Sequence, residues 1–271
     1  MSEHHLPGIK LGQSQDYVEH YDPHLLVAVP RALSRKADYP DFYGVDLWTA
    51  YEISWLSAGG KPQVAIGEFS VPAFSPNLIE SKSFKYYLNS FNQTQLNSRE
   101  ELQQTLERDL SRVAGASVEV RLCTLDEYAQ KRMQRSLPAA LLDDLPLSEV
   151  QYQPSVDVLQ LAQKTFTGVW YSHLLKSNCP VTGQPDWASV WIGWQGRSLE
   201  PESLLRYIIS YRQHQDFHEN CVERIYADLL SVGQPQDLWV YARYTRRGGL
   251  DINPFRSMRP MQIPTVVAAR Q

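Results

Sequence analysis

The chain has 271 residues, a hydrophobic fraction of 43% and a formal net charge of −4 at pH 7. This length fits one large domain or two of ordinary size, and the charge excludes the broad basic surface by which proteins bind nucleic acid. No stretch approaches the roughly 20 apolar residues of a membrane span, and the N-terminus lacks the apolar segment of a signal peptide. The 3 cysteines lie at unrelated spacings, which argues against a disulfide framework. We therefore expect a cytoplasmic protein without a membrane or nucleic-acid partner.

The first half of the chain predicts strands and one helix. Aromatic and β-branched residues alternate in two segments around the turn AGGKP, which predicts two strands joined by that turn. Further on, Ser98 precedes Glu101 by three positions and leucines follow at helical spacing, which predicts a capped helix. The predicted elements are an irregular arm over residues 1–40, strands at 46–56, 63–71 and 117–125, and a helix at 98–115.

The second half repeats this order after a segment rich in Pro and acidic residues, which predicts a linker. Its predicted elements are strands at 167–175, 187–196 and 237–245 and a helix at 221–233. Both halves therefore predict the order strand, strand, helix, strand. The predicted domains are an arm at 1–40, an N-terminal module at 41–131, a linker at 132–154 and a C-terminal module at 155–271.

A direct comparison of the halves indicates a tandem duplication. Glu80–Phe91 aligns without gaps on Glu200–Tyr211, with 4 identical residues, and Gln95 continues the register onto Gln215. The polar differences are divided between the copies, since Gln63 and Ser98 are replaced by Asp186 and His218 in the second half. This division predicts one composite site in which Glu80 shares a pocket with Cys179.

Cys179 lies in the segment SNCPVTGQPDW, residues 177–187, with Asp186 downstream. A reactive thiol must be approachable and needs a partner for proton transfer. The turn makes the thiol approachable, and Asp186 could supply the proton transfer. The alternative interpretation is a buried small apolar residue beside a solvated loop acid.

Three further motifs also allow two interpretations each. In QDFHENC, His218 and Glu219 could recognise the edge of a purine-like base, or they could simply begin a helix whose dipole favours the acid. Glu80 and the lysines of SKSFKYY could bind an amine and a phosphate, or form a solvated helix face. RRGGLDINPF, residues 246–255, could offer arginines and close backbone approach to phosphates, or be an ordinary loop. No metal-ligand spacing is present, so no metal is expected.

Together, ESKSFKYYLNSFNQT, NCPVTGQPDW, DFHENC and RRGGLDINPFRS resemble the long, two-module form of a family of nitrile reductases. These are the NADPH-dependent 7-cyano-7-deazaguanine reductases of the queuosine pathway. The resemblance runs from about Leu11 to Arg259. It implies an α+β tunnelling fold (T-fold), with two tandem modules that each pack an antiparallel sheet against helices, and it predicts a homodimer.

The resemblance also implies a role for each matched residue. Cys179 would add to the nitrile carbon to give a covalent thioimide, and Asp186 would give a proton to the nitrogen. Two hydrides from two NADPH molecules would then complete the reduction to 7-aminomethyl-7-deazaguanine, in the biosynthesis of tRNA queuosine. The residues implied to hold the deazaguanine substrate are Ile79, Glu80, Ser81, His218 and Glu219. The residues implied to contact the NADPH cofactor are Ser81, Lys82, Arg247 and Gly248.

Two other functions stay open at this point. A cyclohydrolase-like hydrolase on the same fold would need a metal or an activated water. A non-catalytic purine- or pterin-binding protein would keep Glu80 and Glu219 but would have no need of Cys179 and Asp186. The presence of both Cys179 and Asp186 favours the reductase.

Overall fold

The computed structural model describes residues 18–36, 38–132, 137–147 and 149–266. Parts of the predicted arm and of the predicted linker lie outside these ranges. The chain divides into two compact units. The first comprises the described residues up to Ser34, Trp48–Ala129 and Gly248–Leu250; the second comprises Arg35–Leu47, Gln130–Arg247 and the described residues from Asp251 onward.

Strands and helices alternate through both halves of the chain. From Ala28 to Arg132 they are β1 (Ala28–Pro30), β2 (Tyr43–Ser57), β3 (Pro62–Pro72), β4 (Asn77–Ile79), α1 (Ser81–Asn89), β5 (Gln95–Leu96), α2 (Arg99–Ala114), β6 (Glu119–Cys123) and α3 (Leu125–Arg132). From Ala140 onward they are β7 (Ala140–Leu141), β8 (Leu161–Asn178), β9 (Pro185–Leu199), α4 (Pro201–Ser210), α5 (His218–Gly233), β10 (Asp237–Tyr244) and β11 (Leu250–Ser257). None of the described helices is long and apolar enough to cross a bilayer.

In the first unit, β3 lies between β2 and β6, and β5 adds a short parallel pairing to β2. The helices α1 and α2 each bury one apolar face. Phe84 of α1 packs edge-on against Trp48 and Phe69, with ring centroids 5.4 and 5.0 Å apart. Aromatic contacts between helix and sheet therefore form the core of this unit.

In the second unit, the strand order is β11-β10-β9-β8-β7. The antiparallel pair β8 and β9 is the longest, with 18 and 15 residues. One face of the sheet is covered by α4 and α5, whose buried apolar residues form a single core with those of the strands. The other face carries an aromatic cluster with Trp191, Trp239, Tyr241 and Phe255.

The structure confirms the mixed α+β class, all six predicted strands and both predicted helices. The predicted order of elements is wrong in one respect, because each half has an additional helix, α1 or α4, ahead of the predicted one. These helices have only 9 and 10 residues and follow a glutamate rather than Ser, Thr, Asp or Asn, so the usual start signal is missing. The strand β11 lies where the pattern predicted none.

Equivalent residues make equivalent hydrogen bonds in the two halves, which supports the tandem duplication. Near the start of the first helix, a serine hydroxyl donates to the carbonyl of the preceding glutamate and accepts from an upstream N–H. These groups are Ser83 with Glu80 and Val27, and Ser203 with Glu200 and Gln160. A glycine in the left-handed region turns each central hairpin, with φ of 79° at Gly60 and 65° at Gly183.

A buried ion network anchors α5, the helix that begins with the predicted site residues. Glu223 on α5 accepts from Arg256 of β11 at 2.8 Å and from Arg35 at 2.6 Å. Arg256 also pairs with Asp46 at 2.8 Å. Because Arg256 and Glu223 are almost fully buried, removal of one partner would leave an uncompensated charge. The network thus fixes α5 against the sheet.

Candidate active site

Cys179 lies at the end of the β8–β9 hairpin. Its N–H donates to the carbonyl of Gln184 at 2.9 Å, and its own carbonyl accepts from the N–H of Gly183 at 2.9 Å. The positive φ of Gly183 allows this tight closure, since other residues are strained there. The thiol is free and only partly buried. The hairpin therefore presents an approachable cysteine in a rigid turn.

Asp186 lies on the same hairpin, directly opposite Ser177. Side chains of directly paired residues share one face of a sheet, so those of Asp186 and Ser177 do so. Cys179 lies just beyond β8, in the turn, where its N–H donates to the carbonyl of Gln184, two positions before Asp186. The alternative of a solvated loop acid is wrong, because Asp186 is buried, with 3% of its surface exposed.

Two basic side chains contact the Asp186 carboxylate. Nε2 of His218 lies 3.2 Å from Oδ2, and Arg247 donates to Oδ1. Burial disfavours the ionised form, but the hydrogen bonds and charges of His218 and Arg247 outweigh it and lower the pKa of Asp186. In this arrangement Asp186 is a carboxylate at neutral pH.

His218 is the first residue of α5, and no side chain caps this helix start. Its ring stacks on Tyr244 at 3.9 Å with an interplanar angle of 13°. Its Nδ1 is buried and has no hydrogen-bond partner among the described residues. A buried polar atom of this kind usually requires a partner, so Nδ1 offers a position for a ligand hydrogen bond. The next residue, Glu219, is also buried.

Arg247 bonds to two residues at the β9 end of the turn. One guanidinium nitrogen donates to Asp186 and another donates to Oε1 of Gln184 at 2.7 Å. About a third of the side chain is exposed, at 34%, whereas that of Asp186 is 4% exposed. The predicted cofactor residue is thus bound to the predicted acid, a contact that the sequence did not suggest.

In the first unit, Glu80 caps α1. Its carboxylate accepts from the N–H of Lys82 at 2.9 Å and from that of Ser83 at 2.6 Å. Ile79 and Glu80 are buried, and Ser81 begins the helix. A carboxylate at this position also interacts favourably with the helix dipole. Glu80 therefore has a structural role in addition to the predicted one.

The first unit also brings Lys85 beside Gly248. Gly248 has a φ of +60°, and a side chain there would lie 3.4 Å from Cδ of Lys85. The side chain of Lys82 lies over the ring of Tyr86 at 5.7 Å. A lysine beside a glycine turn fits the phosphates of a nucleotide cofactor. The first-turn amides of α1 do not add to this, because Glu80 already accepts from two of them.

Three residues of the site escaped the sequence analysis: Ser177, Gln184 and Tyr244. Ser177 and Gln184 flank Cys179 in the quoted motif, and hairpin pairing would have placed Ser177 opposite Asp186. Tyr244 has no comparable signal, because only the packing of α5 on β10 brings it against His218. Within the described ranges, no group of three His, Cys, Asp or Glu side chains is arranged to hold a metal ion.

Two family models match the chain. The model described as "Nitrile reductase, 7-cyano-7-deazaguanine-reductase N-term" matches residues 17–122, and the model described as "QueF-like protein" matches residues 185–262. A solved structure of an archaeosine synthase QueF-like protein in the apo form aligns with 35% of this chain and 94% of its own, with 16% identity and a TM-score of 0.31.

Three curated relatives carry the name NADPH-dependent 7-cyano-7-deazaguanine reductase. The protein from Teredinibacter turnerae is 55% identical, covering 91% of this chain and 90% of its own length. That from Chromohalobacter salexigens is 52% identical, covering 94% and 93%. That from Saccharophagus degradans is 48% identical, covering 98% and 100%.

Proposed function

The chain belongs to the family of NADPH-dependent 7-cyano-7-deazaguanine reductases, and we propose that the β8–β9 hairpin carries out its nitrile reduction. The reaction converts the nitrile of 7-cyano-7-deazaguanine into an aminomethyl group, in queuosine biosynthesis. One observation supports this location above all: a buried, ionised Asp186 bonds to His218 and Arg247, on the same β8–β9 hairpin whose turn holds Cys179.

Cys179 is the nucleophile in this proposal. Its S–H bond breaks and the proton passes to the Asp186 carboxylate, which is ionised and so able to accept it. Sulfur then bonds to the nitrile carbon, one π bond of the nitrile breaks, and its electron pair moves to nitrogen. The nitrogen takes the proton back from Asp186. The product is a neutral thioimide, formed without net oxidation or reduction.

When bound, NADPH supplies the two hydrides that take the thioimide carbon to the amine. Between them, the C–S bond breaks and Cys179 leaves as a thiolate. One proton goes to the nitrogen with the first hydride, and a second proton returns the Cys179 thiolate to the thiol. Asp186 and His218 share a hydrogen bond of 3.2 Å and deliver these protons as a coupled pair. A positively charged C=N group accepts hydride far better than a neutral nitrile, so proton delivery and reduction are linked.

Two groups of residues are assigned to the deazaguanine in this proposal. The free Nδ1 of His218 and the neighbouring Glu219 suit the donor and acceptor edge of the base. Ile79, Glu80 and Ser81 are assigned to the same substrate through the family motif. The cofactor is assigned to Ser81, Lys82, Arg247 and Gly248, and the structure adds Lys85 to this set because of its contact with Gly248.

We also propose the finer architecture that the resemblance implies. Each half would be a tunnelling-fold module, with boundaries at 41–131 and 155–271, and the repeated hydrogen bonds of the two halves support this reading. Modules of this fold close a barrel by association, which supports a homodimer. All three cysteines are free, as is usual in the reducing cytoplasm.

Replacement of the nucleophile tests the proposed function. Cys179→Ala should abolish NADPH oxidation and the absorbance change of the thioimide, while 7-cyano-7-deazaguanine still binds in calorimetry. Cys123→Ala is the matched control, since Cys123 is buried and its thiol contacts the carbonyl of Ile66 in the first unit. The control should keep its activity. Turnover by Cys179→Ala would refute the covalent mechanism.

A further inference from the structure

Arg247 contacts both Asp186 and the turn that presents Cys179, the proposed nucleophile. Its guanidinium donates to the Asp186 carboxylate and to the side chain of Gln184. The carbonyl of Gln184 in turn accepts from the N–H of Cys179 at 2.9 Å. One side chain thus connects the acid to the turn that presents the thiol. The planar fork of arginine suits such a double contact, whereas a lysine makes a single one.

Several charged or titratable groups interact with Asp186, and the effect of Arg247 must be separated from theirs. His218 bonds to the other carboxylate oxygen. Lys176, Cys221 and Tyr244 interact with Asp186 through space. Burial raises the pKa of both Cys221 and Tyr244, so these two stay neutral near pH 7. His218 and Arg247 therefore bond directly to the Asp186 carboxylate, whereas Lys176 of β8 acts on it only through space.

An arginine is not deprotonated in proteins, so the charge that it brings to Asp186 is constant over the pH range in which the enzyme folds. The electrostatic effect of Arg247 on Asp186 is thus the same at every such pH. The contact also lies at the solvent-facing side, since the arginine is 34% exposed and the aspartate 4%.

We propose that Arg247 is a positioning residue for the first chemical step, which holds Asp186 ionised and in place to take the thiol proton. This inference rests on the proposed function. In the step itself, the S–H proton moves to Asp186 and then to the nitrile nitrogen, while the S–C bond forms. Arg247 neither gains nor loses a proton. Its loss should leave Asp186 less firmly placed and less fully ionised at low pH, without removing the base.

The test measures thioimide formation alone, with 7-cyano-7-deazaguanine and no NADPH, so that cofactor binding by Arg247 does not contribute. Rates of absorbance change are compared for the wild type, Arg247→Gln and Arg247→Lys from about pH 4 to about pH 8. Without the guanidinium, Asp186 protonates at a higher pH, so the wild-type rate should exceed that of Arg247→Gln by a factor that grows about tenfold between pH 7 and pH 4. Arg247→Lys should keep a nearly constant ratio.

Arg259→Gln is the matched control. It removes an arginine that pairs with an aspartate, Asp237, at 2.7 Å, but it leaves the hairpin unchanged. Its rate should follow the wild type at every pH. A ratio for Arg247→Gln that stays constant with pH would overturn the proposal, because a merely structural role lowers the rate equally throughout. A wild type that forms no adduct would instead refute the proposed function, whatever the variants do.

Discussion

The two units use equivalent helix starts for different purposes. In the first, Ser98 caps α2 by accepting from the N–H of Glu101 at 3.1 Å. In the second, α5 begins at His218 without a side-chain cap, and His218 bonds to Asp186 instead. Loss of such a cap typically costs about 1 kcal/mol. The start of α5 therefore lacks the stabilisation of a side-chain cap, at the position where the chemistry is proposed.

The ends of the β2–β3 and β8–β9 hairpins show a similar difference: the polar side chain bonds within its own turn in the first unit and to distant residues in the second. In the first unit, the amide of Gln63 donates to carbonyls of its own turn, at 3.0 and 3.3 Å. In the second, the aligned Asp186 is buried against His218 and Arg247. The two halves thus share folding contacts, whereas the polar side chain of the second half bonds to His218 and Arg247, outside its own turn.

The largest expected contrast is between Asp186→Asn and Gln63→Asn. Asparagine keeps the shape of Asp186 but neither accepts the thiol proton nor gives one to nitrogen, so NADPH oxidation should fall roughly 10²–10⁴-fold. Stopped-flow absorbance should show slower adduct formation and a further loss in hydride transfer. Gln63→Asn should stay within about twofold of the wild type. Wild-type NADPH consumption by Asp186→Asn would leave His218 as the leading acid.

A smaller contrast is expected between the buried tyrosines of the two first helices. Tyr207 donates to Asp228 at 2.6 Å and bonds to the buried Tyr211 at 2.9 Å. Tyr207→Phe would leave the Tyr211 hydroxyl without that bond, which should lower the free energy of unfolding in urea by about 1–3 kcal/mol.

The equivalent change in the first unit is Tyr87→Phe. Tyr87 donates to Asp109 at 2.8 Å, but Asp109 also accepts from Tyr21 at 2.6 Å. Because the carboxylate keeps a close partner, the loss should be about 0.5–1.5 kcal/mol. If Tyr87→Phe lowered the free energy of unfolding as much as Tyr207→Phe or more, the second hydrogen bond to Asp109 would not offset the loss of the first.

The smallest contrast concerns the glutamates ahead of α1 and α4. Glu80 accepts from two first-turn amides, whereas Glu200 makes no side-chain cap. Glu80→Ala should therefore lower the free energy of unfolding by about 1 kcal/mol, measured without ligand. Glu200→Ala should change it by less than about 0.5 kcal/mol. Similar losses in both variants would mean that the cap of Glu80 contributes little.

Periodicity and turn residues predicted most of the fold, because local preference and burial agree in the long strands and in α2. They missed α1 and α4, whose starts lack the common capping residues. For the site, the motifs identified Cys179, Asp186 and His218 as residues of interest. They could not predict that Arg247 binds Asp186, because pairing across 61 positions depends on how β10 lies beside β9.

The hairpin that carries Cys179 also separates two stages in the assembly of the site. Cys179 and Asp186 come together by closing a loop of only a few residues, which has a small entropic cost and is fast. Arg247 reaches Asp186 only when β10 has joined β9, since 61 positions separate them. The two hairpin residues can therefore approach each other before Arg247 reaches Asp186. Because synthesis proceeds from the N-terminus, the residues of this hairpin leave the ribosome before Arg247 does.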